Sequence, residues 1–499
     1  MNEKHVEVLI VGAGLSGISA ASHLAEMESG KTYMILERRS RIGGTWDLFR
    51  YPGIRSDSDM FTFGYRFRPW YGSKILADGP SIRRYVQETA ENYDVTDRIR
   101  FGRKVVRVSW SSETRLWTAE AIEEKTGQTE FYTSNFLVNA TGYYNYDAGY
   151  RPVFPGEERF SGEIVHPQNW PEDLDYRGKR VIVIGSGATA ITLVPAMAGD
   201  AAHVTMLQRS PAYMMTLPRH DAVSLVMRKL GIPPGVVHRF GRFRFIAMQR
   251  LTYVLCRSAP HVMRRLLLAG VRAQLGPDID MRHFTPRYKP WDQRLCVVPG
   301  GDLFKALRRG AASVVTDRIA CFTETGVRLT SGEELPADII VTATGLQVQV
   351  AGGAELEVDG RPVATHDRVL YKGVMLDGVP NMVIILGYTN SSWTLKADLA
   401  AEYLTRLLAY MDSNHYTQVT AVARHTDRAR ESAMGDSLAS GYIKRGDMVM
   451  PRQGTRAPWK TINDYFRDRR ALRRSPIRDA ALRFTSGTAV PPEMEERDA

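Results

Sequence analysis

The stretch VEVLIVGAGLSGISAASHLAEM, residues 6–27, decides the fold. It opens with a near-continuous apolar run, the pattern of a strand buried on both faces of a parallel sheet. Gly12, Gly14 and Gly17 follow as GxGxxG, and small residues at helical spacing come next. In such a strand–turn–helix the first glycine makes the tight turn, the second lets a pyrophosphate approach the backbone, and the third lets helix and strand pack closely. Free N–H groups at the helix start then hold the anion. Glu37 closes the next strand, YMILE, where a carboxylate can accept hydrogen bonds from both ribose hydroxyls. An acid there selects an unphosphorylated ribose, hence NAD or FAD.

The same arrangement recurs further along. RVIVIG at 180–185 runs into Gly185, Ser186, Gly187, Ala188, Thr189 and Ala190, a GxGxxA version of the turn. The strand after it, HVTMLQRS, ends in Gln208, Arg209 and Ser210 instead of an acid. A carboxylate would repel a ribose 2′-phosphate, whereas a guanidinium binds it through two parallel hydrogen bonds. This second fold therefore points to NADPH.

Working outward, FLVNATG at 136–142 and DIIVTATG at 338–345 would each close one of the two folds. The expected fold class is α/β, with two Rossmann-like dinucleotide-binding domains and a helical insertion in the second. Residues 1–145 make the first part of one domain and 351–485 its second part. Residues 146–211 and 291–350 make the other domain. Residues 212–290 form the insertion, helical and basic and interrupted by prolines, and 486–499 read as a disordered tail.

Composition closes several routes. A hydrophobic fraction of 43% with 24% charged residues belongs to a globular chain, not a disordered one. Cys256, Cys296 and Cys321 lie far apart without metal-ligand spacing, so no metal is expected. A flavin disulfide reductase needs a cysteine pair against the flavin, and residues 1–145 contain no cysteine. MNEKHVEVLI leads straight into a strand pattern, so a cytoplasmic location is expected, with contact at the inner face of the membrane as its alternative.

The formal net charge of +11 is largely local. Residues 222–277 hold no Asp or Glu but ten Arg and Lys, interleaved with Phe240, Phe243, Phe245, Leu251, Leu255, Leu266 and Leu267. The simpler reading packs the apolar side on the second fold and leaves the arginines solvated. The other reading rests the segment on an anionic membrane surface as a peripheral contact. No nucleic-acid recognition module is present.

Beyond the first turn, residues 41–60 read RIGGTWDLFRYPGIRSDSDM, and 160–171 read FSGEIVHPQNWP. The latter matches FxGxxxHxxxWP at Phe160, Gly162, His166, Trp170 and Pro171. With KPWDQRLCVVPGG at 289–301 and GYTNSSWTLK at 387–396, these words resemble the class B flavoprotein monooxygenases of Baeyer–Villiger type, in particular their ethionamide-activating group. Similar stretches run to about residue 465. The resemblance implies FAD at Gly12, Gly14, Ser16, Gly17, Glu37, Thr45, Trp46, Asp47, Asp57 and Val105. It implies NADPH at Arg55, Ser56, Asp57, Gly185, Ser186, Gly187, Ala188, Thr189, Ala190, Arg209 and Ser210. Arg294 becomes the active-site cation, oriented by Asp57, and the His166 motif acts at a distance through the linker between domains. The helix after GYTNSSWTLK is expected to present its N-terminus to the flavin.

The implied reaction converts ketones to esters with O2 and NADPH through a C4a-peroxyflavin, on small lipophilic substrates. Two alternatives stay open. One is oxygenation chiefly of sulfur or nitrogen, or of long-chain alkyl substrates, by the same flavin. The other is an NADPH-dependent flavin reductase serving a separate acceptor.

Overall fold

A computed structural model describes residues 4–27, 30–433 and 441–487. The strand His5–Val11 pairs in parallel with Tyr33–Glu37 on one side and with Thr129–Asn139 on the other. The helix Leu15–Ala25 starts directly after the glycine turn, and nine of its first ten residues, LSGISAASHL, are buried in the core. Ile99–Phe101 extends the parallel sheet beyond Tyr33–Glu37. The long strand Thr129–Asn139 has two partners on its far side. Its first half pairs antiparallel with Leu116–Glu123, and its last three residues pair in parallel with Met382–Ile384. The chain returns to the first sheet earlier still, at Glu355–Val358, which pairs in parallel with Arg103–Ser111, and the helix Trp393–Ser413 packs on Leu15–Ala25.

The second sheet is wholly parallel. Its order is Ala312–Thr316, His203–Gln208, Arg180–Ile184, Ile339–Thr342 and Glu163–Val165. FLVNATG and DIIVTATG each run beside the first strand of their own fold, in register with it. Both glycine turns depend on backbone geometry. Gly12 and Gly185 have φ of +103° and +145°, and a Cβ on either would meet the carbonyl of Ala140 or Ala343 at 2.9 or 2.4 Å. No other residue type fits there.

Two chain segments cross between the sheets, one after Asn139 and one after Thr342. They pair with each other: the Tyr150 N–H donates to Gly345 O at 2.9 Å, Asn145 to Gln347 O at 3.0 Å, and Gln349 to Tyr143 O at 3.0 Å.

Three helices fill the insertion, Ala222–Lys229, Pro234–Ser258 and Pro260–Arg272. Each begins where its sequence permits. The Asp221 carboxylate caps the first by accepting from Ser224 N, and proline occupies the first position of the other two, where its missing N–H costs nothing. The insertion does not pack on the second fold alone, as the simpler sequence reading had it. Leu267 and Val271 do face inward, but Phe245 stacks on Phe61 of the FAD-side segment at 5.1 Å. Among the described residues no helix is long and apolar enough to cross a membrane. The expected tail lies outside the described residues apart from Ser486 and Gly487, and Ser486 ends the strand Leu482–Ser486.

Candidate functional site

Two adjoining clefts open at the C-terminal edge of the first sheet, where ligands of open α/β sheets sit. The narrower is lined by Gly12, Gly14, Glu37, Val105, Ala140 and Thr141, among others. The wider has about 1250 Å³ of empty space, part of it open to solvent, and shares Gly14, Gly44, Tyr144 and Tyr146 with its neighbour. A molecule lying along both would pass over Gly14 with one end at Glu37 and the other at Asp57.

At the narrow end Glu37 is almost wholly buried, and its two oxygens accept from Ala13 N at 2.6 Å and Arg39 N at 2.8 Å. Burial raises its carboxyl above the usual range, and those two amides pull it back. Each oxygen retains a second lone pair for a ribose hydroxyl. Gly14 packs on Gly44, whose φ of +57° no bulky residue would adopt cheaply, so the second glycine pair closes the turn from above. Gly17 does not face the cleft. A Cβ there would sit 1.8 Å from Gly12 O, so its role is helix–strand packing.

The wide end is walled by Trp46, Phe49, Phe63, Tyr143 and Trp393. Trp393 opens the helix Trp393–Ser413, as the sequence led one to expect, and its indole N–H donates to Ser16 Oγ at 2.9 Å. Thr45 lies on the same wall, with its hydroxyl 3.5 Å from Tyr146 Oη. Three charged residues line this cleft: Arg55, Asp57 and Arg294. Burial pushes the Asp57 carboxyl up to about 6, against the pull of the Arg55 and Arg294 guanidiniums. Arg294 Nε donates to Thr389 O at 2.9 Å, which fixes the guanidinium plane from outside the cleft.

Asp47 is held by arginines. It is 2% exposed and absent from both cleft walls, and it binds Arg39 Nε at 2.7 Å and lies 3.5 Å from Arg50. It anchors the turn that carries Trp46.

The second glycine turn reaches the same cleft through Thr189, whose side chain bonds Tyr51; both line the wall. Arg55 spans the two folds by donating to Asp302 Oδ2 at 2.9 Å. Its Nε and Nη2 are buried with no hydrogen-bond partner among the described residues. Ser56 is buried and bonds Ser58 O at 3.0 Å. Gly187 and Ala188 are exposed, and a Cβ on Gly187 would meet nothing within 4 Å. Ala190 is fully buried and backs the turn, and Ser186 Oγ donates to Ser210 O at 2.9 Å. Gln208 is buried too and donates to His283 O and Thr316 Oγ1, and Arg209 stands exposed at the strand end.

The FxGxxxHxxxWP residues sit elsewhere. Phe160 is in the core, and a Cβ on Gly162 would lie 2.3 Å from Asp338 O. His166 is wedged against Gly149, its Nε2 3.3 Å from Gly345 O while its Nδ1 accepts from Gln168 N. The histidine therefore pins the two crossing segments, and burial lowers its pKa and keeps it neutral. Trp170 packs at the edge of the second core, next to Pro171. None of the five lines either cleft.

Sequence reasoning missed Tyr51, Tyr143, Tyr144, Tyr146 and Trp393 as wall residues. The aromatic run TGYYNY, directly after a strand end, was the available signal.

The sequence profile of the flavin-binding monooxygenase-like family matches residues 76–408, and an NAD(P)-binding Rossmann-like profile matches 10–89. The chain belongs to the flavin-binding monooxygenase-like family. MymA of Mycobacterium tuberculosis, named as an FAD-containing monooxygenase, is 56% identical over 490 residues, covering 97% of this chain and 98% of its own. The FAD-containing monooxygenase EthA of Mycolicibacterium smegmatis is 50% identical over 489 residues, covering 98% of both. Among solved structures, cyclohexanone monooxygenase from Rhodococcus sp. Phi1 bound to NADP+ superposes with a TM-score of 0.76 at 21% identity, over 97% of this chain and 99% of that one. Membership of a flavin family agrees with the geometry. The cradle at Gly12 and Gly14, the aromatic wall and the unpartnered nitrogens of Arg55 suit a flavin dinucleotide and a second nucleotide facing one another.

Proposed function

We propose that the protein is an FAD- and NADPH-dependent monooxygenase of Baeyer–Villiger type, converting an apolar ketone to an ester: ketone, O2, NADPH and a proton give ester, NADP+ and water. The observation that carries this reading is the placing of Arg294 and Asp57 on one aromatic cleft that both folds border. Bound FAD, reduced by NADPH, supplies the electrons that activate O2.

The chain's own residues have separable tasks. Gly12, Gly14, Ser16 and the helix start behind them hold a pyrophosphate, and Glu37 and Val105 receive the adenosine end. Thr45 and Trp46 border the flavin end, and the open end of the helix Trp393–Ser413 faces it. Arg209, with Ser210, Ser186 and the Gly187 turn, takes the phosphorylated nucleotide, and Arg55 and Ser56 meet its nicotinamide half. Arg294 stabilises the negative charge that develops on the ketone oxygen. A preorganised donor of this kind contributes about 3–4 kcal/mol. Asp57 holds that guanidinium toward the cleft, and the aromatic wall excludes water.

With three charged groups already committed, the rest of the wall recognises an uncharged, lipophilic molecule; soft sulfur centres fit it equally well, and remain the second substrate class. Such substrates partition into membranes, and a peripheral contact of residues 222–277 with a membrane's inner face fits that reading. The test is stoichiometry, with FAD-loaded enzyme offered ketones, sulfides and thioamides. One oxygenated product per NADPH is expected. Hydrogen peroxide in equal amount to NADPH with every substrate, abolished only by an added electron acceptor, would establish the reductase instead.

A further inference from the structure

Of the 18 large hydrophobic side chains exposed among the described residues, 13 lie between Ala222 and Pro277. On the helix Pro234–Ser258 they form a line. Val236, Phe240, Phe243, Leu251 and Val254 follow one another at spacings of three, four or eight, which places them on one face of the helix. Phe243 is 61% exposed and Leu251 58%. The opposite face of the same helix is the packed one. There Gly241 lies under the Phe61 ring, Arg242 Nη1 donates to the carbonyls of Phe61 and Gly64 at 2.8 and 2.7 Å, and Gln249 donates to Asp59 Oδ2 at 2.5 Å. The helix thus has two apolar stripes, and the fold uses one.

The neighbouring helices repeat the pattern. Val226 and Leu230 extend from one, Leu230 being 74% exposed, and Val262 and Leu266 from the other. Exposed stripes of this extent on a globular chain mark a surface meant for contact.

Charge identifies the contact. Arg239, Arg250 and Arg257 recur at helical spacing beside the exposed line. Lys229, Arg239, Arg265 and Arg272 are exposed with no ion-pair partner among the described residues, and Ala222–Pro277 contains no acid to balance them. Two copies meeting face to face would oppose like charges without relief. An anionic lipid surface accepts both features: phosphates meet the cations while the apolar line enters the acyl boundary.

We infer that the helical insertion is a docking face for an anionic membrane, which brings the cleft to substrates dissolved in lipid. It rests on the apolar-substrate reading above only for its purpose, since the binding itself is independent of the chemistry. The same helix is clamped to residues 59–64, next to Asp57. At its other end Tyr253 meets Trp291 edge to face at 5.5 Å and Arg257 pairs with Asp292 at 3.1 Å, two residues before Arg294. The docking face and the cleft are two sides of one support.

The holoenzyme is sedimented with vesicles of phosphatidylcholine, with and without phosphatidylglycerol, at low and high salt. Binding to the anionic vesicles alone, weakened by salt, is expected. The triple variant Lys229→Gln, Arg239→Gln, Arg265→Gln should bind about a hundredfold more weakly, about fivefold per charge. Phe240→Ser with Leu251→Ser and Val254→Ser should abolish the salt-resistant remainder. All variants should oxygenate a small water-soluble ketone at the wild-type rate. Wild-type protein staying in the supernatant would overturn the inference, as would a charge variant that binds undiminished. So would a wild-type oligomer that the apolar variant turns to monomer, without vesicle binding. Vesicle binding by an enzyme that oxygenates no ketone or sulfide would leave docking standing and remove the proposed function.

Discussion

The two nucleotide folds are built on one plan and differ at three positions, and the differences sort by function. At the strand end Glu37 is sealed in the core by two backbone amides, while Arg209 projects into solvent from behind a buried Gln208. At the third turn position Gly17 leaves no room for a methyl group, whereas the second fold already carries Ala190 there. At the middle position Gly14 is roofed by Gly44, and Gly187 faces open space. A closed, preorganised cradle suits a cofactor that stays. An open turn with an exposed cation suits one that arrives, reacts and leaves.

The sharpest way to break this comparison is to exchange the third residue. Gly17→Ala forces a Cβ into Gly12 O and should leave no soluble FAD-loaded protein, whereas Ala190→Gly should fold normally, losing about 1 kcal/mol by helix propensity. Folding and flavin content by absorbance after gel filtration check both, and an intact Gly17→Ala holoenzyme would show that the first cradle is not closed.

Arg294→Ala comes next. Product formation should fall by about 10²–10³, with flavin reduction by NADPH retained, as measured by stopped-flow absorbance against product yield. Unchanged ester yield would remove Arg294 from the chemistry.

Arg209→Ala should raise the KM for NADPH by about ten- to a hundredfold, matching loss of hydrogen bonds to a charged group, and leave NADH nearly unaffected. Equal effects on both coenzymes would mean the second fold does not read the 2′-phosphate.

The smallest effect concerns pH. Asp57, with its carboxyl raised to about 6, is ionised at neutral pH and takes up a proton as pH falls through 6. The rate should lose that carboxylate's help with Arg294 over this window, and Asp57→Asn should flatten the acid limb of kcat/KM. The linkage sign is opposite for stability. A raised folded pKa makes the protonated form the favoured one in the fold, so this group's contribution is full below about pH 4 and lost as pH rises through 6. Asp57→Asn should therefore not lower Tm at pH 8.

Much of the cleft was legible residue by residue. Gly12, Gly14, Glu37, Trp46, Asp57, Val105 and Arg294 all reach its walls, because strand ends and glycine turns have fixed geometry once the pattern is read. The pairing of Asp47 with Arg39 and Arg50 was not legible, since nothing local says whether a carboxylate in a turn faces a ligand or two arginines. Tyr146 and Trp393 were missed as wall residues for a related reason: they come from segments far apart in the chain that meet only when Met382–Ile384 rejoins the first sheet.

By itself the sequence determined two Rossmann-like folds and their glycine turns, because periodicity and glycine placement act over short range. It determined also that residues 212–290 would be basic and mostly helical, but not that Met214–Leu217 within them would form a strand with Cys296–Pro299. Which of the two apolar stripes on Pro234–Ser258 is buried was decided only by packing against Phe61 and its neighbours. So was the wedging of His166 between the crossing segments. Local chemistry fixes what a helix can bury; only the shape of its neighbours fixes what it does bury.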